Sequence, residues 1–314
     1  MTTRSWWGWG SSDGVVDPAE VARMVSSYLP LDGAVTPIPE IPEDLRPPRI
    51  HKPQRRNEPD DGGLWSDDTW QRAAHTHGKA YRDVIRNLNG DLTNPPDLIC
   101  FPRSESDVIA ALEWADETGA AVIPFGGGTS VVGGVEFRDP DRPFISLDLT
   151  RMNAILEVDE VGLAMRAQAG ILGPAIQDGL RPNGLALRHF PQSFEFSTLG
   201  GWIATRAGGH FATGLTHIDD FVESLRVVTP VGVSESLRVP ASGAGPSPDR
   251  LFLGSEGALG VITEAWVRVQ RAPRFRASAS AHFHDFTRAV EATRVIAQSG
   301  LGRPIAACST RSSR

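Results

Sequence analysis

The stretch that most restricts the fold runs from Asp97 to Gly134. DLICFP reads as a short strand, Ser104 or Ser106 opens a helix with Val108, Ile109, Leu112 and Ala115 inward, and Gly119 stops it. AAVIPF is the next strand. Strand, helix and strand within about thirty residues make a βαβ unit with a parallel pair. The second strand delivers VIPFGGGTSVVGG at its C-terminal end, where open α/β sheets take their ligands. This stretch holds five of the 32 glycines. Glycine tolerates positive φ and leaves backbone N–H groups uncovered, so such a loop suits phosphate. No lysine follows it in the Walker manner, and Ser130-Val131-Val132-Gly133-Gly134 is a poor start for the helix that a dinucleotide fingerprint should open. On this stretch alone, a phosphate cradle and a plain glycine turn both stand.

Upstream, Asp17 caps a short helix from Pro18 to Tyr28. LPLDGAVTPIPEIPEDLRPPRIHKPQ is too rich in proline for a helix or central strand and reads as an extended arm. Asp67 or Asp68 caps one further helix, with Trp70, Ala73, Ala74, Tyr81, Val84, Ile85 and Leu88 on its apolar face and Asn89-Gly90 at its end. From 144 onward the pattern turns mainly antiparallel. FISLDL is a strand, and ILEV and LAMRAQ flank a hairpin turn at 159–162. LRVVTP and VSESLRV flank another at Val231-Gly232, GVITEAWVRVQ is a long strand, and 240–250 is a loop. After Gln270, FRASASAHF reads as a strand and Asp285–Ser299 as a helix. The fold class is therefore α+β, with a small parallel sheet followed by a larger antiparallel one, two lobes with a ligand between them.

The chain of 314 residues has a net charge of −7 and a pI near 5.6, which argues against a general nucleic-acid binder. Cys100 and Cys308 stand far apart and make no C-x-x-C, so neither a disulfide framework nor a thiolate metal site is expected. No apolar run is long enough for a membrane span, and MTTRSWWGWG lacks a signal peptide's apolar stretch, so the expected location is cytoplasmic. No metal is expected: His189, His210 and His217 lack ligand spacing and read as structural or surface histidines. Asp219-Asp220 reads as the start of an element, and Trp6, Trp7 and Trp9 as residues that pack an N-terminal arm onto the body.

Two later stretches share the character of the glycine loop. Gln192–Thr198 (QSFEFST) runs into LGGWIATRAGG, and Gly254–Gly260 (GSEGALG) offers three glycines and Glu256, which can accept from a ribose hydroxyl. Each has a bland reading, a polar loop before a buried helix and a tight connection. Glu195 suits a buried hydrogen-bonded role as well as a ligand contact, and Arg206 suits a charge-assisted contact or an ion pair.

Together PFGGGTS, EFSTLGGWIATRAGG and GSEGALGVITEA, in this order, resemble the PCMH-type FAD-binding domain of the vanillyl-alcohol oxidase superfamily. Within it the run is most similar to the alkyldihydroxyacetonephosphate synthase (alkylglycerone-phosphate synthase) family, on GGGTSV, EFSTLGGWIATRAGG and WWGWG. The resemblance implies that Pro124, Phe125, Gly126, Gly127, Gly128, Thr129 and Ser130 hold the FAD pyrophosphate. It implies that Gln192, Ser193, Phe194, Glu195, Phe196, Ser197 and Thr198 contact the flavin and its nucleotide arm. The same role falls to Ala204, Thr205, Arg206 and Ala207, and to Gly254, Ser255, Glu256, Gly257, Ala258, Leu259 and Gly260. Some oxidases of the superfamily bond the flavin to a histidine in the glycine loop; Thr129 stands there, so non-covalent FAD is expected. The implied domains are an N-terminal arm and helical segment (1–92), the FAD-binding domain (93–273) and the start of a cap domain (274–314).

The resemblance also implies a reaction, the exchange of the acyl chain of acyl-dihydroxyacetone phosphate for a fatty alcohol through a flavin N5 adduct. The family's catalytic tyrosine and histidine group lie in the cap. This sequence has two tyrosines, Tyr28 and Tyr81, and no histidine after His284, so those positions are expected beyond residue 314 and the chain reads as truncated, with FAD binding but little or no turnover. Two other readings use the same residues: an FAD-dependent oxidase or dehydrogenase of a 2-hydroxyacid or related alcohol, and a non-catalytic flavin-binding stump. The implied partners are a small-molecule or lipid substrate, with peripheral membrane contact and a homodimer both open.

Overall fold

The computed structural model describes residues 4–11, 16–29, 40–53, 62–209, 217–239, 242–275, 277 and 279–300. The chain divides into two compact units, 1–151 and 152–314.

The first unit contains α1 (Pro18–Ser26), β1 (Trp65–Ser66), α2 (Thr69–Ala74), α3 (Tyr81–Leu88), β2 (Leu98–Cys100), α4 (Glu105–Thr118), β3 (Ala121–Phe125) and β4 (Phe144–Asp148). The Asp17 carboxylate accepts from Ala19 N at the start of α1, and Ser104 and Asp107 form a reciprocal cap at the start of α4. Gly119 ends α4 at φ +69°. The sheet order is β1-β2-β4-β3. β4 therefore lies between the two strands of the βαβ unit, parallel to both, so FISLD belongs to the parallel sheet and not to the antiparallel region. All five of its residues are buried, which a strand covered on both faces requires. β1 adds an antiparallel edge that its two-residue length hides in the sequence.

The single helix expected over 68–88 is two helices. Asp68 caps the first through Gln71 N. The break falls at 75–80 because the backbone meets the glycine loop there. Lys79 N donates to Ser130 O at 2.7 Å, and a Cβ on Gly78 would sit 2.2 Å from that same oxygen. The break rotates the face of α3, so Tyr81 is 83% exposed while Asp83 and Asn87 are buried.

Of the proline-rich arm, 30–39 lies outside the described residues, and 40–53 is fastened by charge. Asp97 is wholly buried and accepts from Arg49 N (2.8 Å), Arg49 Nε (3.0 Å), Arg49 Nη2 (2.8 Å) and Phe144 N (2.9 Å). Burial alone would raise its pKa, but Arg49 and the two amides outweigh that and leave it below the ordinary value.

The second unit contains β5 (Ile155–Asp159), β6 (Ala164–Gln168), α5 (Gly173–Leu180), β7 (Leu185–Ala186), α6 (Leu199–Thr205), α7 (Ile218–Phe221), β8 (Val222–Thr229), β9 (Gly232–Glu235), α8 (Asp249–Phe252), β10 (Val261–Arg268), β11 (Gln270–Arg271) and α9 (Phe286–Gln298). Its main sheet runs β5-β6-β10-β8-β9 and is antiparallel throughout, with both expected hairpins and the long strand β10 at its centre. Alternation along β10 buries Ala265 and Val267 on one face, where Met165, Ala167, Leu225 and Val227 meet Ile176, Leu199, Trp202 and Ile203. The other face is polar, with Arg166 bonded to Glu264 at 2.8 Å and Arg238 over the Trp266 ring at 4.4 Å. The described residues of FRASASAHF form no strand. Alternating Ala and Ser bring too little apolar surface to one side, and Phe275 is 92% exposed. α9 forms with Asp285 as its cap, and none of its residues is buried.

Replacing Asp97 by Ala leaves Arg49 and Phe144 N without their acceptor and is expected to destabilise the first unit by roughly 3–5 kcal/mol at pH 7. Because the folded pKa is depressed, this contribution is present above the unfolded value near about 3.9 and is lost as pH falls through the folded one. Urea unfolding at pH 7 and in acid should therefore show the gap between native and variant closing on acidification; a constant gap contradicts it.

Candidate cofactor site

In the first unit, Pro124 and Phe125 are the last residues of β3, and Gly126–Ser130 leave the sheet from its C-terminal edge. Phe125 is buried with its ring 4.2 Å from that of His75, whose Nε2 lies 3.0 Å from Asp148 Oδ2 and whose Nδ1 lies 2.7 Å from Gln71 O. This pair supports the ring on which the loop rests. Gly128 folds over it at φ +64°, where an added Cβ would come within 2.4 Å of Phe125 Cζ. Only glycine fits that turn.

Two of the loop's carbonyls are bonded to the protein. Gly127 O accepts from Arg4 Nη1 at 2.5 Å and Ser130 O from Lys79 N at 2.7 Å, while Ser130 Oγ accepts from Gly134 N at 3.1 Å. In contrast, the N–H groups of Gly127, Gly128, Thr129, Ser130 and Val131 donate to no protein acceptor among the described residues. Gly128 is buried, Gly127, Thr129 and Ser130 are half-buried and Val131 is exposed, so the run presents several backbone donors at the rim of the loop. An anion with several oxygens suits such a run, and a diphosphate has the oxygens to accept from it. The Thr129 hydroxyl also has no protein partner among the described residues and adds a donor.

In the second unit, the other three predicted segments surround α6. Ser193 O collects Phe196 N (2.8 Å), Ser197 N (2.9 Å) and Ser197 Oγ (2.8 Å), and Trp202 Nε1 donates to Ser197 Oγ at 2.6 Å. Thr198 caps α6 through Gly201 N, and Phe194 stacks on Trp202 with centroids 6.0 Å apart. Gln192 and Glu195 are exposed, so Glu195 has no buried role. At the other end, α6 leaves carbonyls that its own turns cannot satisfy. Gly254 N bonds Ile203 O at 3.1 Å and Glu256 N bonds Ala204 O at 2.9 Å, so GSEGALG docks on the end of α6 and brings Ala204–Ala207 beside Gly254–Glu256. Arg206 and Glu256 both hold positive φ, +51° and +53°, at this junction. Non-glycine residues held there carry backbone strain that clusters at ligand sites. Ser255 O accepts from Ala258 N, and Gly257 and Leu259 continue the turn into Gly260.

Arg206 forms an ion pair with Asp219, and Arg250 and His217 share the same carboxylate, at 3.2 Å and 3.3 Å. Burial works to raise the Asp219 pKa, and Arg206 outweighs it and holds it low. Asp219-Asp220 indeed opens α7, and His189 is buried against Trp202 and Phe221. His210 lies outside the described residues. No group of His, Cys, Asp and Glu among them is arranged to hold a metal, and no described helix is long and apolar enough to cross a membrane. Arg4, Gly78 and Lys79, which shape the glycine loop from one side, were not legible as site residues; their only signal was the aromatic cluster that follows Arg4.

Residues 96–237 match the family described as FAD binding domain, so this part of the chain is a domain of that family. The chain's relatives are more particular: it is 41% identical over 233 residues to the alkyldihydroxyacetonephosphate synthase of Dictyostelium discoideum. A solved structure of an alkyldihydroxyacetonephosphate synthase superposes with a TM-score of 0.75 at 32% identity, over 86% of this chain and 55% of that one. The mitochondrial D-lactate dehydrogenase (cytochrome) of Arabidopsis thaliana is 31% identical over 209 residues. The match covers 74% of this chain but only 38% of the Dictyostelium enzyme, and 66% against 35% for the Arabidopsis one.

Gly128→Ala should weaken FAD binding about tenfold or more, equivalent to about 1.4 kcal/mol, because left-handed backbone and contact with Phe125 both oppose a Cβ. Titration of apoprotein by flavin fluorescence measures it, and an unchanged affinity counts against the cradle.

Proposed function

We propose that this chain supplies the cofactor half of an enzyme of the alkyldihydroxyacetonephosphate synthase type, one that replaces the acyl chain of an acyl-dihydroxyacetone phosphate by a fatty alcohol. The observation that carries the cofactor assignment is the run of five acceptorless amides from Gly127 to Val131. In this reading residues 124–130 hold the pyrophosphate of FAD, and 192–198, 204–207 and 254–260 hold the flavin and its nucleotide arm. The backbone supplies oriented dipoles without a mobile cation, which holds a diphosphate while leaving the rest of the cofactor free to be placed by other segments. When bound, FAD supplies the reactive centre; the residues of this chain bind it, orient it and cover its phosphates.

Arg206 is committed to Asp219, which favours a positioning role through the α6–GSEGALG junction over direct contact with phosphate. Proton transfer is assigned to residues outside this set, because Tyr28 and Tyr81 are both strongly exposed. The proposed domains are 1–92, 93–273 and 274–314, the last being the start of a cap. A lipid substrate, contact with a membrane surface and a homodimer belong to the proposal for the whole enzyme. A reducing, cytosolic setting suits the buried thiol of Cys100.

Similarity to the Arabidopsis dehydrogenase favours one second reading, flavin-dependent oxidation of a 2-hydroxyacid. The two are separated by adding D-lactate, or acyl-dihydroxyacetone phosphate with a fatty alcohol, to separate anaerobic samples of the whole enzyme whose cofactor half this chain supplies. Acyl-for-alkyl exchange without bleaching of the flavin supports the synthase reading, and bleaching by the hydroxyacid supports the other. Because threonine at 129 offers no side-chain atom for flavin attachment of the histidine kind, acid precipitation of the holoprotein should leave the yellow colour in the supernatant; colour in the pellet contradicts dissociable FAD.

A further inference from the structure

The Trp-rich segment 4–11 closes on itself and onto the glycine loop. Ser5 N bonds Gly10 O at 3.1 Å, Gly8 N bonds Ser5 Oγ at 3.1 Å, and Arg4 bridges Ser11. Trp6 is buried with Ala73 and Leu92, and Trp7 O accepts from Asn87 Nδ2 at 3.1 Å. These contacts anchor the segment on α2 and α3. From that anchor two arms reach the loop. Arg4 donates to Gly127 O at 2.5 Å. Trp9 Nε1 donates to Lys79 O at 3.0 Å, Lys79 Nζ donates to Trp6 O at 3.0 Å, and Lys79 N donates to Ser130 O at 2.7 Å.

The consequence follows from the planarity of the peptide unit. In a trans peptide the C=O of one residue and the N–H of the next point in opposite directions. Drawing Gly127 O toward Arg4 therefore turns Gly128 N–H away from it, and drawing Ser130 O toward Lys79 turns Val131 N–H away likewise. These are two of the five acceptorless amides. A triple glycine left to itself has many conformations, and ordering each residue costs roughly 1–2 kcal/mol. An external brace that has already ordered it removes that cost from binding.

We propose that residues 4–11 are a clasp that pre-orients the glycine loop for the FAD diphosphate, with Arg4 as its positioning residue; this rests on the FAD reading of the loop. Arg4 acts on the carbonyl side of the loop. Its guanidinium lies in the field of Asp148 as well as bonding Gly127 O, while burial weakens its hold on its proton. Burial and the neighbouring Arg4 also lower the Lys79 pKa, to about 8. The two cations thus crowd each other beneath a loop whose amides face an anion, an arrangement that an occupied site relieves.

The test is FAD titration of the apoprotein by fluorescence, together with its melting temperature, for the native chain, Arg4→Ala, Arg4→Lys, Trp9→Phe and Arg49→Ala. Arg49 serves as the control, since it stabilises the same unit through Asp97. Arg4→Ala should raise the FAD dissociation constant at least tenfold, Arg4→Lys should recover part of that loss, and Trp9→Phe should give a smaller rise. Arg49→Ala should lower the melting temperature and change the constant by less than twofold. If Arg4→Ala and Trp9→Phe bind FAD as the native chain does, or if Arg49→Ala weakens binding as much as Arg4→Ala, the clasp is overturned. If the folded native chain itself does not bind FAD, the failure lies with the FAD reading.

Discussion

The hydrogen bond from Lys79 N to Ser130 O, with Gly78 packed beneath it, is the contact on which the cofactor site depends. It explains why an otherwise continuous helical pattern stops at His75 and resumes at Tyr81. It also fixes the far end of the glycine loop, while the β3 strand fixes the near end. A side chain at position 78 would push the loop away from the body, since its first carbon meets a carbonyl oxygen and not a flexible group. The loop is thus held by backbone on both sides and by the Phe125 ring below.

Holding the loop this way fixes two of its peptide units by direction. Gly127 O and Ser130 O are bonded inside the protein, and the amides that follow them, Gly128 N and Val131 N, are turned the other way. Such a loop suits a diphosphate without a lysine in the motif, because its donors are backbone dipoles held in place by the protein. In the second unit the same economy appears in another form. The end of α6 has its carbonyls satisfied by the amides of Gly254 and Glu256, which brings two glycine-rich segments distant in sequence to one place.

Much of this was legible in the sequence, for stated reasons. Strand alternation and turn chemistry gave both hairpins, and capping residues gave the start of α1 and, between two serines, that of α4. The parallel order was not legible: β4 entering between β2 and β3 is a non-local choice that no local pattern records. Helical spacing across 70–88 concealed the break at Gly78, because the cause lies fifty residues downstream, in Ser130. The segments 124–130, 192–198, 204–207 and 254–260 stood out by their glycines and hydroxyls. Arg4 and Lys79 did not, since nothing near either of them in sequence points to the loop. The tryptophans beside Arg4 gave the packing of that segment but not its direction.

In the proposed FAD site the amides of Gly127 to Val131 are the donors for the cofactor's phosphates. Amide hydrogen exchange of the apoprotein, with and without saturating FAD, tests it most directly. Fast exchange is expected at these five positions without cofactor and clear slowing in its presence, with β4 unchanged as the internal reference. Bound FAD with unaltered exchange across 127–131 would contradict it.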